Sequence, residues 1–138
     1  MPLSPQQLAA YLGAEYAVFA DEPFVFRIGE TSVSLEALME DAGVDGAAFV
    51  TAANPGGVLA DARENALSTE ALLNAQREAG YACIPGAGRD PRGGWPAEPS
   101  VLVLGISRRE AEMLGRSYEQ NAIVFIEKGA GAELVVLA

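Results

Sequence analysis

The chain contains no histidine, a single cysteine and a single tryptophan, and its basic residues are outnumbered by acidic ones, 9 to 19. Each shortage excludes a class of chemistry. Without histidine there is no Ser-His-Asp triad, no Cys-His pair and no imidazole metal site within one chain. A lone Cys83 forms neither an internal disulfide nor a CxxC centre, which fits a reducing compartment. The net charge of -10 repels polyanions, so no nucleic-acid polymer and no anionic membrane surface is expected as a partner. No apolar run reaches the ~18 residues needed to span a bilayer, and Met1 to Gln7 lacks a signal peptide's basic start and apolar core, so a cytoplasmic location is expected. No cofactor fingerprint is present. Metal chemistry is reduced to an oxygen-ligand magnesium site, and none is expected.

What is there is a folded composition: 138 residues, half of them apolar and a fifth charged, enough for one domain with its own core. Residues 1–45 read as a helix, hairpin and helix extension, and 46–138 as an α/β core. Ser4-Pro5-Gln6-Gln7 is a capping box with proline at the first helical position, followed by the stripe Leu8, Tyr11, Leu12 and a stop at Gly13. Glu15 to Ala20 and Phe24 to Ile28 flank Asp21-Glu22-Pro23 as a hairpin. Ser34 is expected to cap a helix bearing Leu35, Leu38, Met39 and Ala42, ending at Gly43.

The second half begins with a strand over Ala47 to Ala53 and a turn at Asn54-Pro55-Gly56-Gly57. Asp61 and Glu64 form a cap and N3 pair for a helix to about Ala79, closed by Gly80. Tyr81 to Pro85 predicts a short strand and Val101 to Ile106 a buried one. Ser107-Arg108-Arg109-Glu110 is a capping box stapled by Ile106 and Ala111, opening a helix with Leu114 and Tyr118. Asn121 to Glu127 and Glu133 to Leu137 are strands joined through Lys128 to Ala132. The fold class is therefore α+β: a single domain with a mixed β-sheet, a split β-α-β core carrying one extra C-terminal strand, helices mainly on one face, and the N-terminal hairpin extending an edge.

Three loop regions at strand ends collect polar residues, and strand ends are where α/β proteins commonly place ligands. The first holds Thr51 and Asn54 with Asn65 nearby. Asn54 is a turn residue or a ligand contact; Asn65 shares a helix stripe with Ser68 and Leu72, so its amide points inward and meets either the Asn54 loop or a ligand. The second is Gly86 to Ser100, rich in glycine and proline. Its Gly86-x-Gly88 allows close backbone approach and exposes amides without matching a phosphate motif. In it Arg89 can fork onto an anion, Trp95 either packs its own loop or stacks on a ligand, and Glu98, between Pro96 and Pro99, is the first choice for a general acid or base, with Arg89 stabilising charge. The competing role for Glu98 is a salt bridge to Arg89. The third is Tyr118-Glu119-Gln120-Asn121, where Gln120 and Asn121 either cap the helix or read a ligand's hydrogen-bonding edge. The arginines gathered in this half, Arg89, Arg92, Arg108, Arg109 and Arg116, can form a local anion site; Cys83 reads as a buried structural thiol.

Phe24-Val25-Phe26-Arg27-Ile28-Gly29, Thr51-Ala52-Ala53-Asn54-Pro55, Glu64-Asn65, Gly88-Arg89-Asp90-Pro91 through Trp95-Pro96-Ala97-Glu98-Pro99-Ser100, and Gln120-Asn121-Ala122-Ile123-Val124 together resemble the bacterial domain of unknown function 3293. The resemblance implies that Thr51, Asn54, Asn65, Arg89, Trp95, Glu98, Gln120 and Asn121 form one set, and it implies no activity. Ala53 stands where that family tends to an aromatic or polar residue, which is expected to leave that side of a pocket less crowded.

Two functions are carried forward. One is binding of a small anionic, amide-bearing or nucleotide-like metabolite in a polar pocket at the strand ends. The other is a non-catalytic interaction module, including a homodimer paired through a C-terminal strand ending at Ala138.

Overall fold

The computed structural model describes residues 3–137. Its order is α1 (Pro5–Gly13), β1 (Glu15–Val18), β2 (Phe24–Phe26), α2 (Val33–Ala42), β3 (Gly46–Thr51), α3 (Ala62–Glu78), β4 (Ala82–Arg89), β5 (Glu98–Leu104), α4 (Arg108–Ser117), β6 (Ala122–Glu127) and β7 (Glu133–Val136), with a one-turn 3₁₀ segment at Pro55–Gly57. The expected start and stop signals act as read at several ends. Ser4 and Gln7 close a reciprocal capping box, Gly43 terminates α2 at φ 68°, and Ser107 accepts from the Glu110 amide. One cap moves: Ser32, rather than Ser34, accepts from the Leu35 amide, so α2 starts earlier and Ser34 lies inside it.

The seven strands form one sheet in the order β2-β1-β4-β5-β3-β6-β7. Its core is the expected split β-α-β arrangement, and that arrangement decides strand direction. The strands joined through α3, β3 and β4, are separated by β5; those joined through α4, β5 and β6, are separated by β3. Every ladder is consequently antiparallel, and the mixed character expected from helix crossovers is confined to one isolated parallel bridge, Ile28 to Ala132. That bridge joins the segment after β2 to the residue before β7, so the sheet curls until its outer edges meet. Ala138, where an edge-pairing strand was expected to end, lies outside the described residues.

Curling gives the sheet an inner and an outer face, each with its own core. On the outer face Val50, Val101, Val103, Ile123 and Val135 pack with Leu72 of α3 and Ala111 of α4, and Cys83 is buried there as a structural thiol. On the inner face Ala47, Leu104 and Ile126 pack with Leu35 and Met39 of α2. Tyr16, Phe26 and Phe49 form an aromatic triad at its centre, with centroids 5.4 to 5.6 Å apart. The helices are thus divided, α3 and α4 outside and α2 inside, rather than mainly on one face.

The largest departure from expectation is the Gly86 to Ser100 interruption. Most of it is strand: β4 continues to Arg89 and β5 begins at Glu98, leaving only 90–97 as a connection. Gly86 pairs with Val18 on one side and Ser100 on the other, and a Cβ there would strike the Ala17 carbonyl oxygen and come within 2.9 Å of the Phe49 ring. The glycine is required by close packing inside the sheet, not by an anion. Both prolines that look like breakers are also accommodated. Pro85 lies just past the last β1 pair and Pro99 just past the last β3 pair, so each strand is an edge on one side where proline's missing N–H is tolerated.

Candidate functional site

The inner face has two ends. α2 seals one; the other opens into a cavity of about 370 Å³, roofed by Gln7, Ala10 and Tyr11 of α1. Sheet register sets its floor. Tyr16, Gly88 and Glu98 are direct cross-strand partners, as are Ser100 and Thr51 in the neighbouring row, so their side chains leave the same face as Phe49. The cavity brings together Thr51, Asn54, Arg89, Trp95, Glu98, Gln120 and Asn121 from the three predicted strand ends. Asn65 does not line it.

Asn54 is the organising residue. It sits in the left-handed region at φ 49°, 4% exposed, and its polar atoms are engaged on several sides. Its backbone N–H donates to Asn65 Oδ1 at 2.9 Å; its Oδ1 accepts from the Ala60 amide at 2.9 Å and from Asn65 Nδ2 at 2.8 Å; its Nδ2 donates to Glu98 Oε2 at 2.7 Å. Asn65 is therefore the buried tie to the Asn54 loop, standing behind the site and holding its turn. The region before Asn54 is fixed as well. Thr51 Oγ1 donates to the Pro99 carbonyl at 2.7 Å and accepts from the Ala53 amide at 2.9 Å, while Gln120 Nε2 donates to the Ala53 carbonyl at 2.9 Å. Ala53 is fully buried and lines no part of the cavity, so its small side chain widens nothing.

Glu98 faces the cavity on this support. Trp95 Nε1 donates to the same Oε2 at 3.2 Å, so two neutral donors hold one oxygen, and among the described residues nothing hydrogen-bonds Oε1. The expected salt bridge to Arg89 does not form. Arg89 pairs with Glu15 and Glu98 with Gly88, so strand alternation sends the two side chains to opposite faces; Arg89 is exposed and also borders a second, shallower pocket. The predicted pairing of Glu98 as acid or base with Arg89 as charge stabiliser is thereby separated by the pleat. Of the other arginines expected to gather, none lines the cavity, and two are occupied by acids: Arg108 pairs with Glu133 and Glu112, and Arg116 with Glu112. Trp95, 40% exposed, takes the first of its expected roles, tying its own loop to Glu98, and it also forms part of the cavity wall.

Among the cavity-lining residues that sequence reasoning did not single out are Tyr11 and Tyr16. Tyr16 donates its hydroxyl to the Tyr11 carbonyl at 2.7 Å, which anchors α1 over the cavity. Burial pushes the Tyr11 phenol up, the Glu98 charge adds to this, and the Asn121 amide acts the other way. Tyr16 is driven well above the ordinary tyrosine range by burial, with smaller contributions from Tyr11 and Glu98. The only signal available for Tyr11 was its place on the α1 stripe, which reads as packing.

No cluster of three or more His, Cys, Asp or Glu side chains able to hold a metal occurs among the described residues, and no helix among them is long and apolar enough to cross a membrane. The model of a family described as a protein of unknown function (DUF3293) matches residues 50–123, more than half of the chain. All eight polar residues singled out from the sequence fall within that span, while Tyr11 and Tyr16 lie before it. No curated protein and no solved structure matches the chain.

Proposed function

The chain belongs to the DUF3293 family of unknown function, so the function has to be argued from the cavity, and we propose that this domain binds a small organic molecule between α1 and the open end of the sheet's inner face. The observation that carries the reading is Glu98, a carboxylate held at one oxygen by Asn54 and Trp95 and facing a cavity with the other. Such a group, on a strand and supported by a buried amide network, is preorganised to accept a ligand N–H or O–H. The volume, about 370 Å³, lies in the range of metabolite-sized sites. Aromatic and aliphatic walls supply area, and a few amides supply orientation.

The reading narrows what the sequence suggested. An anionic or nucleotide-like ligand would place its charged part at the rim near Arg89, because the interior end carries Glu98 and the whole protein carries a net charge of -10. Its body would lie inside, with donor groups toward Glu98. For any proton exchange with the ligand Glu98 is the group in position, and Arg89 has no part in it.

Gly88 offers the test. A Cβ there meets only the Tyr16 ring, at 4.0 Å, so Gly88→Val fits the strand and carries its methyls into the cavity. In a thermal-shift screen of metabolites, compounds that stabilise the native protein are expected to lose their effect on Gly88→Val, whose own melting temperature stays within a few degrees. Stabilisation that survives unchanged in Gly88→Val, or a panel with no stabilising compound, contradicts the proposal.

A further inference from the structure

The unmatched charge in the cavity points to the ligand's own charge. Glu98 is half-buried, its polar contacts are neutral donors, and none of the ion pairs among the described residues includes it. The other acid on the lining, Asp90, is occupied by its own loop, accepting from the Arg92 and Gly94 amides at 2.9 Å each. The one basic residue on the lining, Arg89, leaves the opposite face of the sheet. Glu98 shares the cavity lining with the rings of Tyr11, Tyr16, Phe49 and Trp95. A carboxylate without a counter-ion, in a cavity walled in part by aromatic rings, is the chemistry that recognises an organic cation with an apolar body.

Resting on the reading of this cavity as a ligand site, we infer that its ligand carries a protonated amine or amidine on an apolar body, with the cationic head at Glu98 Oε1 and the body against the aromatic wall. A neutral analogue forfeits the charge-assisted hydrogen bond, and a carboxylate in the same place meets Glu98 as a like charge. The negative field is already felt by the residues present: Glu98 contributes to raising both Tyr11 and Tyr16 above the ordinary phenol range. A cationic head relieves that field, and an anionic one adds to it.

The sole tryptophan sits on the wall, so its fluorescence reports the site directly. The probes are cyclohexylmethylamine, cyclohexylmethanol and cyclohexanecarboxylate, which share one apolar body and do not absorb where tryptophan does. The amine is expected to perturb Trp95 emission and to bind about tenfold or more tighter than the alcohol, with the carboxylate weakest. Glu98→Gln keeps an acceptor for Asn54 and Trp95 and is expected to level the amine and alcohol; Arg109→Gln, an equal charge change on exposed α4 away from the cavity, is expected to leave the amine's affinity unchanged. Alcohol binding as tight as the amine, carboxylate binding that depends on Arg89, or amine binding indifferent to Glu98→Gln overturns the inference while leaving a ligand site in place. If Gly88→Val also leaves every affinity unchanged, or no probe changes the emission at all, the ligand-site reading fails with it.

Discussion

α2 and α1 close opposite ends of the same inner face in opposite ways. α2 buries Leu35 and Met39, 1% and 0% exposed, against Ala47, Leu104 and Ile126. α1 has no buried residue; Leu8 and Leu12 are exposed, and it holds its place through the Tyr16 hydrogen bond to the Tyr11 carbonyl and the residues that roof the cavity. Beneath α2 the sheet presents aliphatic side chains. Beneath α1 it presents Tyr16, Thr51, Glu98 and Ser100, with Gly88 contributing only space. The difference teaches that one end supplies folding free energy through burial, while the other forgoes burial to keep a polar cavity, and stability is expected to depend on the first far more than on the second.

The contrast can be broken or sharpened by substitution. The largest effect is expected for Met39→Ala, which empties a fully buried position and lowers unfolding free energy by about 2 to 5 kcal/mol in a denaturant titration; a loss as small as that of an exposed residue removes the distinction. Asn65→Ala comes next, at roughly 1 to 3 kcal/mol, since it strips partners from the Asn54 backbone N–H and Oδ1. It is also expected to loosen Glu98 and alter Trp95 emission, a readout that a merely local destabilisation would not move. Tyr16→Phe is expected to cost about 0.5 to 1.5 kcal/mol at neutral pH through the lost bond to Tyr11. Its signature is pH dependence. Tyr16 holds its proton more tightly folded than unfolded, so its contribution is intact below the unfolded value of 10.0 and declines as pH rises above it toward the folded value; denaturation curves of Tyr16→Phe should fall less steeply over that window. Leu12→Ala is the smallest, within about 0.5 kcal/mol, because the side chain is about half exposed and α1 buries no residue.

Local signals in the sequence wrote much of this fold. The Ser4 capping box, the Gly43 stop, the Ser107 cap and the Ile106–Ala111 staple depend on a few neighbouring residues and stand where read. The extent of β4 and β5 was hidden for the opposite reason: Gly86, Gly88 and Pro99 are loop formers locally, and only contact with Phe49, Ala17 and the end of β3 makes strand the right state for them. The site divides the same way. Seven of the eight residues singled out from their positions at strand ends line the cavity, and of the two partners left open for the inward amide of Asn65 the Asn54 loop is the one it meets. Which residues share a face was not legible. Arg89 and Glu98 look like partners in a loop and become residues of opposite faces once both are in strands, while Tyr16 is set in the row of Glu98 only by long-range register and Tyr11 is brought to the cavity by its bond from Tyr16.

One end of the inner face is packing, and the other is proposed as a binding site. Mapping a library of small organic fragments on isotopically labelled protein by amide and indole chemical shifts separates the two ends. Responses are expected to gather at Tyr11, Gly88, the Trp95 indole and Asn121, with Leu35 and Met39 silent. Responses centred on the α2 end, or scattered over the surface with the Trp95 indole unmoved, would contradict the proposal.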